Sequence, residues 1–275
     1  MAFASVQIVK SQPIGRQAAV AIQVNDLTVA YQSATPVLDQ LSLLIEAGEI
    51  VALVGASGCG KSTLLRAMAG LVQPRQGQVQ FEPALARLSG DLAFVFQAPT
   101  LLPWRTVDEN IRLPLELSRR HGKQAQGSTN THGRSDATAI ARRSVGLEDV
   151  AATMFPRELS GGMQMRASIA RALVTDPSVL LLDEPFAALD DILRTKLNEL
   201  LLQLWESRPR TIVFVTHNIA EAIYLSHRVI VLGNGRVASA IDNELAWPRC
   251  AKVRSSLEFA ALYGRISAAL AEVSG

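Results

Sequence analysis

Apolar residues fall into short runs separated by longer amphipathic stretches. Residues 22–30 and 38–45 alternate apolar and polar positions in part, which predicts two half-buried strands. Residues 50–54, Ile-Val-Ala-Leu-Val, are apolar without a break. A strand covered on both faces reads that way. It runs into a glycine-rich loop, and residues 62–69 then read as a helix stopped near Gly70. Residues 92–96, 179–182, 211–215 and 229–232 are further short apolar runs. Helical patterns at 191–207 and 219–225 separate the last three. Short apolar strands alternating with helices predict an α/β fold with a mainly parallel sheet.

Between 106 and 174 the pattern is mostly helical. Within it, residues 118–138 are rich in Gln, Gly, Ser, Thr and His and lack periodicity, so they read as a mobile surface loop. The tail at 255–273 is amphipathic, with Phe259, Leu262, Tyr263, Ile266, Leu270 and Val273 on one face. Ser255 and Glu258 have capping-box spacing at its start. Packing on the chain's own core is the expected use of that face, and binding a partner is the alternative.

Composition narrows the function classes. Hydrophobic residues make up 48% of 275, enough for a sizeable core. A net charge of +2 is too small to suggest a nucleic-acid partner. Cys59 and Cys250 stand far apart with no Cys/His cluster, which argues against a disulfide framework or a zinc site. Lys10, Pro13 and Arg16 interrupt residues 1–20, so these read as a loose extension rather than a signal peptide. No apolar run approaches the roughly 20 residues that cross a bilayer. Membrane association is therefore expected only through a partner.

Two motifs carry chemistry. Gly55-Ala56-Ser57-Gly58-Cys59-Gly60-Lys61-Ser62 fits the phosphate-binding pattern G-x-x-x-x-G-K-[ST]. Glycines let the backbone wrap closely, so that successive N–H groups point at phosphate oxygens. The following helix adds its positive end. Lys61 is expected to reach the β- and γ-phosphates of ATP, Ser62 to bind Mg²⁺, and Thr63 to contact the α-phosphate. The second motif is the apolar strand 179–182 followed by Asp183 and Glu184. Asp183 is expected to hold the Mg²⁺ shell, and Glu184 to polarise a water for in-line attack.

Leu159-Ser160-Gly161-Gly162-Met163 lies between these motifs and resembles the signature of the ABC ATPases. The resemblance runs from about Ile22 to Leu270. It is strongest to the nitrate/sulfonate/taurine importer group, through residues 94–111, 159–173 and the Pro-Arg-Cys tail. Met163 stands where glutamine is commonest in the wider family, as is frequent in that importer group. The resemblance implies a P-loop NTPase core, an antiparallel β subdomain and a helical subdomain inserted at about 98–174. The ATPase domain would span 21–245, with a helical tail at 246–275.

It also implies a head-to-tail dimer of two such chains. Ser160, Gly161, Gly162 and Asp190 would then face the ATP held by the partner's P-loop. Tyr31 resembles the aromatic residue that stacks on adenine. Gln97 resembles the glutamine that touches the Mg²⁺ or water shell. His217 resembles the switch histidine that bonds the γ-phosphate. His121, His132 and His227 match nothing and read as solvated or structural. Separate transmembrane subunits and an extracytoplasmic solute-binding protein would complete an importer, with this chain on the cytoplasmic face. Leu101, Leu102, Pro103 and Trp104 form either an exposed contact patch or part of the helical core. An ABC ATPase acting on nucleic acid or ribosomes is the competing reading. Neither a heptad insertion nor a second P-loop supports it.

Overall fold

The computed structural model describes residues 21–31, 35–83, 85, 90–120, 131–187 and 189–274. The expected N-terminal extension lies outside them. Two sheets organise the chain. The first pairs β1 (Ala21–Val29) antiparallel with β2 (Leu38–Ile45) on one side and β4 (Gln76–Glu82) on the other. The second has the order β5-β6-β7-β3-β8-β9, built from β3 (Ile50–Gly55), β5 (Leu92–Val95), β6 (Val179–Asp183), β7 (Thr211–Val215), β8 (Arg228–Gly233) and β9 (Arg236–Asp242). Its first five strands are parallel, and β9 closes one edge antiparallel to β8.

The larger sheet is covered on both faces, which explains its unbroken apolar runs. Side chains alternate along a strand. Ile50, Ala52 and Val54 therefore face a core shared with α4 (Gly161–Leu173), α5 (Asp191–Ser207), α6 (Ile219–Leu225) and α7 (Leu257–Ser274). Val51 and Leu53 face the other way, onto α1 (Lys61–Met68) and the antiparallel sheet. Each buried Val, Leu or Ile contributes about 1.5–3 kcal/mol by leaving water. Together the two layers fix the sheet's register.

Three helices form the inserted layer: α2 (Val107–Arg120), α3 (Thr131–Ser144) and α4. Arg142 of α3, 4% exposed, ties that helix to α2 and to the 3-10 turn at Asp149–Thr153 by donating to Asp108 and Asp149 at 2.8 Å each. The aperiodic stretch at 118–138 is not loop throughout. Helix α2 runs to Arg120 and α3 begins at Thr131, so the connection between them is shorter than expected. The expected mobility of its centre, 121–130, lies outside the described residues. The polar strands β4 and β9 escaped the apolar pattern, because each sits at a sheet edge and wets one side.

The tail folds back on the core. Phe259, Leu262 and Ile266 of α7 are buried, as the pattern predicted, whereas Tyr263 is 44% exposed. Ser256 caps the helix by accepting from the Phe259 N–H at 3.1 Å, which moves the cap one residue beyond Ser255. Ahead of α7, buried Arg249 donates to the carbonyls of Ile223, Tyr224 and Ser226 at the end of α6. Its guanidinium also lies 4.1 Å from the Trp247 ring centroid. His227 stacks on Trp247 at 4.5 Å, and its Nδ1 accepts from the Ile50 N–H at 3.0 Å. This histidine is structural.

Burial, reinforced by the Arg249 charge, pushes the His227 imidazole down to about 4 from an ordinary 6.5. Between those values the unfolded chain binds more protons than the folded one, so acid favours unfolding. The contribution is complete above about 6.5 and is lost as pH falls towards 4, at up to about 1.4 kcal/mol per pH unit. His227→Asn keeps an acceptor for Ile50 and removes the titration. Urea unfolding of both proteins at several pH values is expected to show the wild type losing more stability than the variant across this window.

Candidate functional site

Parallel strands place all their carboxyl ends along one edge, and that edge assembles the site. β3 delivers the P-loop, β6 delivers Asp183 and Glu184, β7 leads through Thr216 to His217, and β5 leads to Gln97. A cleft of about 480 Å³ opens there. Lys61, Ser62, Thr63, Glu184 and His217 line it, with P-loop glycines and Val37. A larger open depression of about 640 Å³ beside Asp26 and Gln40 has no cation in its lining among the described residues. Nothing there suits a phosphate.

The loop's shape depends on particular glycines. Gly55 has φ 151, and a Cβ there would lie 2.4 Å from the Leu232 carbonyl oxygen. Gly60 has φ 106, and its Cβ would meet Leu38 at 2.6 Å. Lys61 is only 8% exposed and curls over the loop, donating to the carbonyls of Gly55 at 2.9 Å and Ala56 at 2.8 Å. Cys59 Sγ lies 3.8 Å from the same ammonium.

Ser62 Oγ donates to Asp183 Oδ1 at 2.7 Å, so the two oxygens converge. Hard divalent cations prefer such an oxygen set. Arg66, which the motifs did not reveal, approaches the other Asp183 oxygen at 3.6 Å. Glu184 is held at φ 46, an uncommon conformation for a residue with a side chain. Its Oε2 accepts from Gln97 Nε2 at 3.3 Å and lies 3.7 Å from His217 Nδ1. Two residues from two other loops thus converge on one carboxylate. Behind His217, buried Glu221 accepts from the Thr216 hydroxyl, and burial pushes its carboxyl above the usual range. A lone acid in the apolar run of α6 was the only sign of it in the sequence.

Tyr31 lies beside α1, half exposed, with its hydroxyl 3.3 Å from Thr63 Oγ1. Ser160, Gly161, Gly162 and Asp190 are absent from the cleft's lining among the described residues. Ser160 caps α4, which begins at Gly161, by accepting from the Met163 N–H at 3.3 Å. Gly161 is open, but a Cβ at Gly162 would lie 1.9 Å from Leu193 Cδ2. A side chain there would have to displace the Leu193 methyl where α4 meets α5, a constraint within one chain. Asp190 caps α5 through the Leu193 N–H at 2.9 Å. Trp104 is 71% exposed and so is not part of the helical core, whereas Leu101 of the same segment packs against that core.

The loop geometry yields a graded expectation. Gly55→Ala suffers both backbone strain and a clash, and should destabilise the fold by about 3 kcal/mol. Gly58, at φ 80 with open space around its Cα, should cost about 1 kcal/mol as Gly58→Ala. Urea midpoints of the two variants test the order.

Comparison with known proteins agrees with this arrangement. The sequence profile of the family described as ABC transporter matches residues 38–187. The aliphatic sulfonates import ATP-binding protein SsuB of Bacillus thuringiensis subsp. konkukian is 39% identical over 234 residues, 83% of this chain and 88% of that one. Its namesake SsuB 1 from Pseudomonas savastanoi pv. phaseolicola is 44% identical over 221 residues, 78% and 82% of the two chains. A dimeric ATP-binding cassette solved in a post-hydrolysis state with ADP and Pi superimposes with TM-score 0.72 at 32% identity, covering 82% of this chain and all of that one. Motif, fold and relatives agree: the chain belongs to the ABC transporter family of ATP-binding cassettes.

Proposed function

We propose that this chain is the ATP-hydrolysing subunit that energises import of an aliphatic sulfonate or similar small anion through a separate transmembrane permease. The observation that carries the reading is the convergence of Gln97 and His217 on Glu184 beside the P-loop. A binding module would have no use for a carboxylate oriented in this way. The solute class comes from the importer relatives, because nothing in the ATP cleft recognises a sulfonate.

ATP binds with its phosphates against the P-loop amides and the start of α1. Gly55, Ser57, Gly58, Cys59 and Gly60 supply the backbone, Lys61 turns to the β- and γ-phosphates, and Thr63 takes the α-phosphate. Tyr31, exposed at the mouth, stacks on adenine. Ser62, Asp183 and Gln97 would hold Mg²⁺, which supplies charge neutralisation on the β- and γ-oxygens. Glu184 accepts a proton from the attacking water, while His217 holds that water and the γ-phosphate. The new P–O bond forms as the bond to the β-phosphate oxygen breaks, leaving ADP and phosphate.

A second copy completes each site, with Ser160, Gly161, Gly162 and Asp190 reaching across to its ATP. The dimeric cassette relative supports this pairing. Exposed Trp104 and its neighbours dock the permease, which keeps the chain on the cytoplasmic face of the membrane. No helix among the described residues is long and apolar enough to cross a bilayer. An extracytoplasmic solute-binding protein delivers the cargo to the permease.

Glu184→Gln removes the base and keeps the shape. Phosphate release should fall by about 100-fold or more, and gel filtration in ATP and Mg²⁺ should show an accumulated dimer. A variant as fast as wild type would refute the role of Glu184. Trp104→Ala should change stability by less than about 0.5 kcal/mol yet weaken co-purification with the permease. Unimpaired assembly and transport would remove Trp104 from the contact.

A further inference from the structure

The loop at 97–106 begins at Gln97, carries exposed Trp104 and leads into α2. Three side chains of the helical layer fasten it: Arg171 of α4, and Asn110 and Glu109 of α2, the last accepting from the Thr106 N–H at 2.8 Å. Asn110 of α2, fully buried, binds its rear half. It accepts from the Leu102 N–H at 2.7 Å and donates to the carbonyls of Leu102, Arg105 and Thr106 at 3.1, 3.0 and 2.9 Å.

Arg171, in the last turn of α4, binds the front half. Its guanidinium donates to the carbonyls of Thr100 at 2.8 Å and Pro99 at 3.0 Å, and to Thr100 Oγ1 at 2.9 Å. A weaker contact at 3.5 Å goes to Ser168 on its own helix. All four acceptors are neutral oxygens. Burial pushes the guanidinium down from its ordinary value, so the cation is committed to this loop at a solvation cost. Thr100 sits at φ 49, an uncommon conformation for a β-branched residue that the arginine holds in place. A planar fork spans neighbouring acceptors in a way that a single ammonium does not.

The other end of α4 carries Ser160 and Gly161. The helix has 13 residues and is therefore a rod of about 20 Å. One end lies where the partner's ATP would bind, and the other grips the loop two residues beyond Gln97.

We propose that Arg171 is a positioning residue that ties the loop carrying Gln97 and Trp104 to the signature helix. This rests on the ATP-sandwich reading above. When the partner's nucleotide draws in the start of α4, the loop is carried with the helix. Gln97 then shifts against Glu184, and the Trp104 surface moves against its docking partner. Without the arginine, nucleotide would still bind and the dimer would still close. The loop would no longer follow.

Hydrogen–deuterium exchange on the full chain tests this, in a Glu184→Gln background with and without ATP and Mg²⁺. In that background ATP should slow exchange at amides within 98–106 about tenfold. Adding Arg171→Gln should abolish that response, while ATP still protects the P-loop and still drives dimerisation. Arg171→Lys should restore part of it. A loop response unchanged by Arg171→Gln overturns the proposal, as does a dimer that forms in Glu184→Gln with no loop response at all. Failure of both Arg171 variants to fold would make the residue a plain brace and also overturn it. Absence of an ATP-bound dimer in Glu184→Gln alone removes the sandwich reading, and the proposal with it.

Discussion

Strand β3 is buried on both faces, and the position of every functional group follows from that burial. Its five apolar side chains divide between two cores. The strand can therefore neither slip by one residue nor turn over without exposing one set to water. Its end is fixed, and so is the loop that follows. Parallel neighbours bring their own ends to the same edge, which is how residues as distant in sequence as Gln97, Asp183 and His217 meet at the P-loop. Glu184 receives Gln97 and His217 from two other strand ends while its backbone sits in an uncommon positive-φ conformation.

The helical layer is joined to this edge differently. Besides the apolar packing of Leu101, its contacts to the loop at 97–106 are directional hydrogen bonds through Asn110, Glu109 and Arg171. Gln97 reaches the other way, to Glu184 on the core. The loop is thus bonded to both bodies at once. Apolar packing would spread such a link over many atoms, whereas a few directional hydrogen bonds let the loop move as a unit with one side.

At the opposite end of the sheet, the tail is fixed by aromatic stacking and a buried cation. Arg249 satisfies the last carbonyls of α6, which a helix terminus otherwise leaves unpaired. Helix α6 begins directly after His217 and Asn218. The tail therefore also anchors the far end of the helix that follows His217. Its acid sensitivity arises from the same packing, because burial, reinforced by the Arg249 charge, keeps His227 neutral down to about pH 4.

The sequence by itself determined the strands buried on both faces, the phosphate loop and the acidic pair after β6. Each is a local signal: an unbroken apolar run, glycines at fixed spacing, or carboxylates at a strand end. Edge strands β4 and β9 were not legible, since a half-wet strand of mixed residues has no distinctive run. The shorter α2–α3 connection was missed because helices can form from polar residues when neighbours supply the packing. Only the tertiary structure decided that Gly162 lies against Leu193, that Trp104 is exposed, and that Arg66, Arg171 and Glu221 support the site. Those facts depend on pairs far apart in the chain, and no local pattern records which distant atoms will meet.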